Sequence, residues 1–193
     1  MRNPVMIGER LYLRPLEKED AVELARYTAE ETETFFDMGR TPVSPLAWER
    51  WITKLYTHEP GSAIHFAVCR KEDDRLIGTV GISSIDWINR VAETEAWLGG
   101  AENRGKGYGP EAKHLLLEYC FERIHLHMVY SWVWEPNFRS AAAVRRQGYR
   151  DAGRVKTLGR KEGRFRDALM FDLFRDEWLA ARDAWRARQE AKS

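Results

Sequence analysis

The feature that most constrains the fold of this sequence is a glycine-rich turn between an apolar stretch and a helix. Residues 104 to 109 read RGKGYG, and Pro110 follows at a place suited to the first turn of a helix. Glycines without side chains let successive main-chain N–H groups face one concavity beside the positive end of a helix dipole. We therefore predict that the turn binds a phosphate or diphosphate group. A glycine-rich helix start without a ligand is the alternative.

The spacing of these glycines does not fit the two common nucleotide-binding motifs. A P-loop requires GxxxxGK followed by Ser or Thr, and a dinucleotide-binding fold requires GxGxxG after its first strand. The pattern here, Arg104-x-x-Gly107-x-Gly109, resembles the acyl-CoA diphosphate loop of the GNAT superfamily of N-acetyltransferases. The segment GKGYGPEA from residue 105 is similar to the RimJ/RimL-type branch, which includes ribosomal-protein N-terminal acetyltransferases.

Length and composition favour a single globular domain over residues 1–193. A hydrophobic content of 44% is enough for a core and argues against disorder. The 31 basic and 30 acidic residues leave a net charge of +1, so we expect neither nucleic acid nor a membrane as a partner. Cys69 and Cys120 are too few for a disulfide framework, and the first residues lack the apolar run of a signal helix, which favours a cytoplasmic protein.

The order of predicted elements resembles the GNAT fold across nearly the whole chain. Predicted strands lie at 10–14, 64–70, 76–85, 91–98, 126–134, 149–158 and 165–174, and predicted helices at 17–30, 45–55, 110–124, 140–147 and, as a charged tail, 176–192. The helix between the fourth and fifth strands makes those two parallel. We expect an α/β (α+β) fold with a mixed, mostly antiparallel seven-stranded sheet and about four helices plus the tail helix. The resemblance implies that the parallel pair splays apart to hold acetyl-CoA.

The resemblance also implies which residues bind acetyl-CoA. The turn would bind the diphosphate, the main chain of Leu98 and Gly99 would bind the pantetheine arm and the acetyl carbonyl, and Asn137 would hydrogen-bond the pantetheine. An ordinary strand end is the alternative for Leu98 and Gly99. The expected acetyl-CoA contacts are Leu98, Gly99, Arg104, Gly105, Lys106, Gly107, Tyr108, Gly109, Asn137 and Ser140.

Acetyl transfer to an amine requires a group that removes a proton from the amine. Glu93 lies 14 residues before Gly107, the spacing at which histone-type members of the superfamily place a base. Glu95 points to the same face of the strand, two residues further on. We predict that one of the two accepts the amine proton, directly or through water. Two solvated glutamates on an amphipathic strand are the alternative.

The departing thiolate needs a proton from an acid. Many members of the resembling family place a tyrosine seven residues after the asparagine, and counting from Asn137 gives Val144. We predict Ser140 as the replacement, as in some RimJ/RimL-type members, with Tyr130 and water as alternatives. Ser140 also suits the N-cap of its own helix.

The sequence constrains the identity of the acceptor amine less than the identity of the acetyl donor. An α-amine titrates near ~8 and a lysine near ~10.4, so a lysine costs roughly 3 kcal/mol more to deprotonate at neutral pH. We expect the N-terminal α-amine of a protein or peptide, with a small amine such as an amino acid, polyamine or aminoglycoside-like compound as the alternative. A non-catalytic CoA-binding sensor is a third hypothesis, suggested by Val144. In the resembling family the turn-rich region 34–45 borders the acceptor.

Three further expectations concern mechanism, metals and assembly. Neither cysteine stands in a Cys-His arrangement, so we expect direct attack in a ternary complex without a covalent enzyme intermediate. His125 and His127 lack partners at ligand spacing, so no metal site is predicted. Trp178 and Trp185 on the charged tail helix favour a homodimer.

Overall fold

A computed structural model describes residues 1–31, 43–57, 61–161 and 163–191, so most of the turn-rich segment predicted at 34–45 lies outside the described residues. The strands are β1 (Met6–Ile7), β2 (Leu11–Pro15), β3 (Ile64–Arg70), β4 (Leu76–Asp86), β5 (Val91–Leu98), β6 (Met128–Trp134), β7 (Arg150–Lys161) and β8 (Arg164–Phe174). The α-helices are α1 (Asp20–Glu30), α2 (Pro45–Leu55), α3 (Tyr108–Glu118), α4 (Phe138–Arg146) and α5 (Arg175–Glu190).

The described strands form one mixed sheet in the order β1-β2-β3-β4-β5-β6-β8-β7. Neighbouring strands are antiparallel except for the central pair β5 and β6, which is parallel. The predicted α/β fold, with its mixed sheet and parallel central pair, is therefore confirmed. The predicted count of seven strands is wrong by one, because β1 pairs only two residues with β2 and is too short to show an alternating pattern.

Both faces of the sheet are covered by helices, as the apolar run in β3 requires. Successive side chains of a strand point to opposite faces. Phe66 and Val68 pack in the core cluster that contains α3, whereas Ala67 and Cys69 pack in the cluster that contains α1 and α2. The sheet therefore lies between two helical layers.

Helix α3 begins earlier than the proline rule indicates. Gly107 adopts a left-handed conformation with φ of 81° and forms the N-cap, so the helix starts at Tyr108 and Pro110 is its third residue. The predicted continuation to residue 124 is present as a π-helical turn over Tyr119–Arg123. The glycine-rich turn therefore leads directly into the helix.

The tail helix α5 packs against its own domain. Trp178 is fully buried and stacks on Phe121 with ring centroids 5.4 Å apart, and Trp185 lies 4.8 Å from the ring of His114. Trp178 is thus buried within the chain, whereas Trp185 stays partly exposed, and the predicted homodimer remains a prediction. Among the helices in the described ranges, none combines the length and apolar character needed to cross a lipid bilayer.

The buried position of Trp178 gives the first prediction. Replacing a buried aromatic side chain by alanine leaves a cavity, so Trp178→Ala is expected to lower the free energy of unfolding by roughly 3–5 kcal/mol. Trp185→Ala, at a half-buried position on the same helix, is the matched control and should cost clearly less. Urea denaturation followed by circular dichroism measures both. Equal losses for the two variants would contradict the packing described for α5.

Candidate active site

The central feature of the site is a place where two neighbouring strands part. The parallel register of β5 and β6 covers three pairs and ends at Glu93 opposite Tyr130, although β5 continues to Leu98 and β6 to Trp134. At this point the Thr94 hydroxyl donates to the Tyr130 carbonyl over 3.1 Å, and the Ser131 hydroxyl donates to the Thr94 carbonyl over 3.2 Å. Side-chain hydroxyls thus take the place of the next ladder bonds, and the strands diverge beyond them.

The opening begins nearer to the start of β5 than the sequence analysis predicted. We expected it at Leu98 and Gly99, but the strands separate at Thr94. The N–H of Gly99 donates to the Ile77 carbonyl over 3.0 Å, and its carbonyl accepts from the Asn103 side chain over 2.8 Å. The predicted contact between the Gly99 N–H and a ligand is therefore wrong, because that donor already bonds within the protein.

A cavity of about 800 Å³ occupies the opening and extends toward the glycine-rich turn. It brings together predicted site residues from β5, the turn and α4, which are far apart in sequence. The predicted residues that line it are Glu93, Glu95, Leu98, Arg104, Gly109, Asn137 and Ser140. The remaining predicted turn residues, 105 to 108, join Arg104 to Gly109 along the chain.

The turn has the conformation and the donors needed to bind a diphosphate. Gly105 and Gly107 have φ values of 74° and 81°, a region that favours glycine. Among the described residues, none accepts a hydrogen bond from the main-chain N–H groups of residues 105 to 109. A side chain at Gly105 would meet nothing within 4 Å, so the turn is open at this residue, next to a helix N-terminus. The residues present therefore fit the diphosphate of CoA.

A buried carboxylate that the sequence analysis missed holds this turn in place. Glu111 is 1% exposed and accepts hydrogen bonds from the main-chain N–H groups of Arg10 and Leu11, over 2.8 and 3.0 Å. The Arg10 guanidinium bonds to the same carboxylate over 3.0 Å and to the Lys106 carbonyl over 2.8 Å. The start of α3 is thus fixed to the start of β2.

The two predicted residues of α4 have roles in the structure that differ in part from the prediction. Asn137 is the N-cap, because its side-chain oxygen accepts a hydrogen bond from the Ser140 N–H over 3.1 Å. The suggestion that Ser140 is the N-cap is therefore wrong, and its hydroxyl is not needed for capping. Val144 is buried and lines the cavity, where it offers no proton to a ligand.

The two glutamates of β5 lie in different environments. Glu93 is half-buried, and burial, together with the neighbouring charge of Glu95, raises its pKa, while Lys113 opposes the shift. Glu95 is exposed and accepts a hydrogen bond from the Ser83 hydroxyl. A carboxylate whose pKa is raised toward neutrality is a stronger proton acceptor. The partial burial of Glu93 within the cavity therefore makes it the better candidate base than the exposed Glu95.

Lys113 is a second charged residue that the sequence analysis missed. Its side chain is buried on α3, lines the cavity, and places Nζ 5.7 Å from the centroid of the Tyr149 ring. Burial lowers the pKa of Lys113 to about 8. The signal was present in the sequence, because Lys113 precedes the buried Leu116 and Leu117 by three and four residues and so shares their face of the helix.

Aromatic side chains form another wall of the same cavity. Trp48 stacks on Trp97 with ring centroids 6.1 Å apart, and Trp51 meets the ring of His65 edge-on at 4.9 Å. Burial lowers the pKa of His65, while the charge of Glu95 acts in the opposite direction. This wall is therefore largely apolar and uncharged, with carboxylates beside it.

Comparisons with known proteins agree with this geometry. A family model described as an acetyltransferase (GNAT) domain matches residues 10–150. The chain is 31% identical over 172 residues to the uncharacterized N-acetyltransferase p20 of Bacillus licheniformis, covering 88% of this chain and 96% of that protein. It is 27% identical over 184 residues to the putative ribosomal N-acetyltransferase YdaF of Bacillus subtilis (strain 168), covering 89% and 95%.

A solved structure shows the same fold. The spermidine N-acetyltransferase from Vibrio cholerae, in complex with CoA and spermine, superposes with a TM-score of 0.78 at 22% identity, covering 89% of this chain and 99% of that one. The resemblance that we inferred from the glycine-rich turn and the element order is confirmed at the level of the family. This chain belongs to the GNAT acetyltransferase family and is an acetyl-CoA-dependent acyltransferase.

Proposed function

We propose that this protein transfers an acetyl group from acetyl-CoA to the N-terminal α-amine of a protein or peptide. The amine attacks directly within a ternary complex. The observation that carries the proposal is the opening beyond Thr94, which places the half-buried Glu93 in one cavity with the rim of the glycine-rich turn. The similarity to a putative ribosomal N-acetyltransferase supports an acceptor at a polypeptide end and assignment to the RimJ/RimL-type branch.

Acetyl-CoA, the acetyl donor, is bound by the turn and by the two sides of the opening. Bound acetyl-CoA supplies the thioester that is cleaved. The free N–H groups of residues 105 to 109 hold the diphosphate, and Arg104, whose guanidinium is ion-paired with Glu31, lines the cavity beside them. Leu98 and the side-chain amide of Asn137 position the pantetheine arm within the opening. Holding the reactive carbonyl next to the acceptor amine supplies most of the rate acceleration.

Glu93 removes the proton from the acceptor amine. Its burial raises its pKa, which strengthens the carboxylate as a proton acceptor near neutral pH. An α-amine depends less on a catalytic base than a lysine side chain does, because the pKa of the α-amine is lower. A single half-buried carboxylate therefore suits an α-amine better than a lysine ε-amine. Ser140, with its hydroxyl free of capping, donates a hydrogen bond to the sulfur.

A small polyamine is the second candidate acceptor, and one observation favours it. Trp48, Trp51 and Trp97 line the cavity together with the exposed Glu95, and with Glu31, whose carboxylate is ion-paired with Arg104. Aromatic faces attract cations, and carboxylates pair with them, so this wall suits a small molecule with several positive charges. The known structure with spermine has the same fold, which leaves this acceptor class open for the present chain.

The acceptor prediction is tested with matched substrates. We expect CoA release with a peptide that carries a free α-amine and an internal lysine, and little release when only the α-amine of that peptide is blocked. Thiol release is measured at saturating acetyl-CoA, with spermidine in parallel. Turnover on spermidine alone would favour the polyamine hypothesis. Tight acetyl-CoA binding without turnover on any amine would favour the sensor hypothesis.

Glu93→Gln gives a test of the base. The exchange keeps the shape of the side chain but removes the proton acceptor, so kcat is expected to fall roughly 100-fold while CoA affinity is unchanged. Because the base must be deprotonated, wild-type activity should fall as the pH drops through the raised pKa of Glu93, so the ratio of variant to wild-type kcat should rise over that range. Stopped-flow or steady-state thiol assays between pH 5 and 9 measure both. A larger loss in the matched variant Glu95→Gln would transfer the role to Glu95.

A further inference from the structure

Lys113 is a buried cation for which the steps described above provide no role. It is 3% exposed, and α3 continues with apolar residues on the same face. Burying an ammonium group in such surroundings costs free energy unless a partner offsets the lost hydration. A lysine at such a position therefore indicates a function. Within the described residues its close partner is the ring of Tyr149, with Glu93 and Glu95 acting at longer range. A methionine or leucine would fill the same space at lower cost.

The position of Lys113 is tied to the point where the strands part. Its Nζ lies 5.7 Å from the centroid of the Tyr149 ring, and the Tyr149 hydroxyl lies 2.7 Å from the Thr94 hydroxyl. Thr94 donates its own hydrogen to the Tyr130 carbonyl, so Tyr149 is the donor between these two hydroxyls. Lys113 is therefore linked through Tyr149 to the start of the opening.

The cavity that Lys113 lines is the one in which a proton donor is missing. Val144 lines this cavity together with Lys113 and Ser140, and its side chain has no proton to donate. A serine hydroxyl can pass a proton on, but it does not ionise near neutral pH and must be supplied with a replacement at once. An ammonium group can hold a proton and release it.

We propose that Lys113 is the acid of the transfer step and that its ammonium group supplies the proton taken up by the sulfur of the departing CoA. This inference rests on the acetyltransferase function proposed above. It adds a catalytic residue on α3, donating directly to the sulfur or through the Ser140 hydroxyl.

The step is balanced in atoms and charge. The amine nitrogen forms a bond to the acetyl carbon, and the carbon–sulfur bond breaks with its electron pair staying on sulfur. Lys113 gives one proton to that sulfur and becomes a neutral amine. Glu93 takes one proton from the attacking nitrogen, and the return of that proton to Lys113 restores both side chains. The products are the acetylated amine and CoA as its thiol.

The surroundings of Lys113 support this assignment. Burial lowers the pKa of Lys113 to about 8, against the opposing charges of Glu95 and Glu93. A thiol titrates near ~8.5, so a proton moves between the two groups with little change in free energy. Burial also raises the pKa of Cys120 to about 12 and the pKa of Tyr149 still further, so both remain protonated. Lys113 is thus the neighbouring donor able to change its charge in the working range.

The test compares Lys113→Met with Lys18→Met, an exposed lysine before α1 that serves as the matched control. For Lys113→Met we expect a fall in kcat of roughly 100-fold below pH 8, with unchanged CoA affinity by calorimetry and a melting temperature that is kept or raised. The ratio of variant to wild-type kcat should rise above pH 8, because wild-type Lys113 then loses its proton. Because the acceptor amine ionises in the same way in both assays, its contribution to the pH dependence cancels in this ratio.

A second variant separates proton transfer from positive charge. Lys113→Arg keeps a cation, but a guanidinium does not give up its proton, so we expect turnover no faster than in Lys113→Met. Restored turnover in this variant would overturn the proposal, and so would a wild-type kcat in Lys113→Met or a loss that is equal at every pH. Absence of turnover in the wild-type protein with every amine would instead refute the proposed function itself.

Discussion

The site depends on the termination of one strand pairing. Two parallel strands in the middle of a sheet would normally bond along their whole length, which would leave no space for a ligand. Here the hydroxyls of Thr94 and Ser131 bond across the pair and end the ladder after three residue pairs. The Tyr149 hydroxyl fixes Thr94 from the other side. Main-chain groups beyond this point are therefore available to an extended substrate arm.

One continuous stretch of chain connects the two ends of the site. The opening begins at Thr94, and strand β5 runs from there to Leu98, a distance of about 13 Å at roughly 3.3 Å per residue. The chain then continues into the glycine-rich turn. Helix α3 starts from that turn and returns past the opening, where it contributes Lys113. A ligand anchored by its diphosphate at the turn therefore extends toward Glu93. The ion pair between Arg10 and Glu111 keeps the turn and β2 in register.

Local patterns were sufficient to predict the element order, the parallel central pair and the glycine-rich turn, because each is encoded within a short window. The features that the sequence analysis missed depend on partners far away in the chain. Thr94 ends the strand pairing and is itself bonded to Tyr149, which is 55 residues away. Gly99 bonds to Ile77 on the neighbouring strand, and Trp178 is buried by Phe121. The sequence pattern within a single strand or helix carries no information about such long-range pairs.

The most direct test of the account concerns the free main-chain donors of the turn. Gly105 and Gly163 have nearly equal φ values of 74° and 75°, and a side chain at either would meet nothing within 4 Å. Aspartate tolerates this conformation, so the same strain applies at both positions. Calorimetry should show CoA binding at least tenfold weaker in Gly105→Asp, through repulsion of the diphosphate, and unchanged in Gly163→Asp. Equal affinities in the two variants would contradict the account.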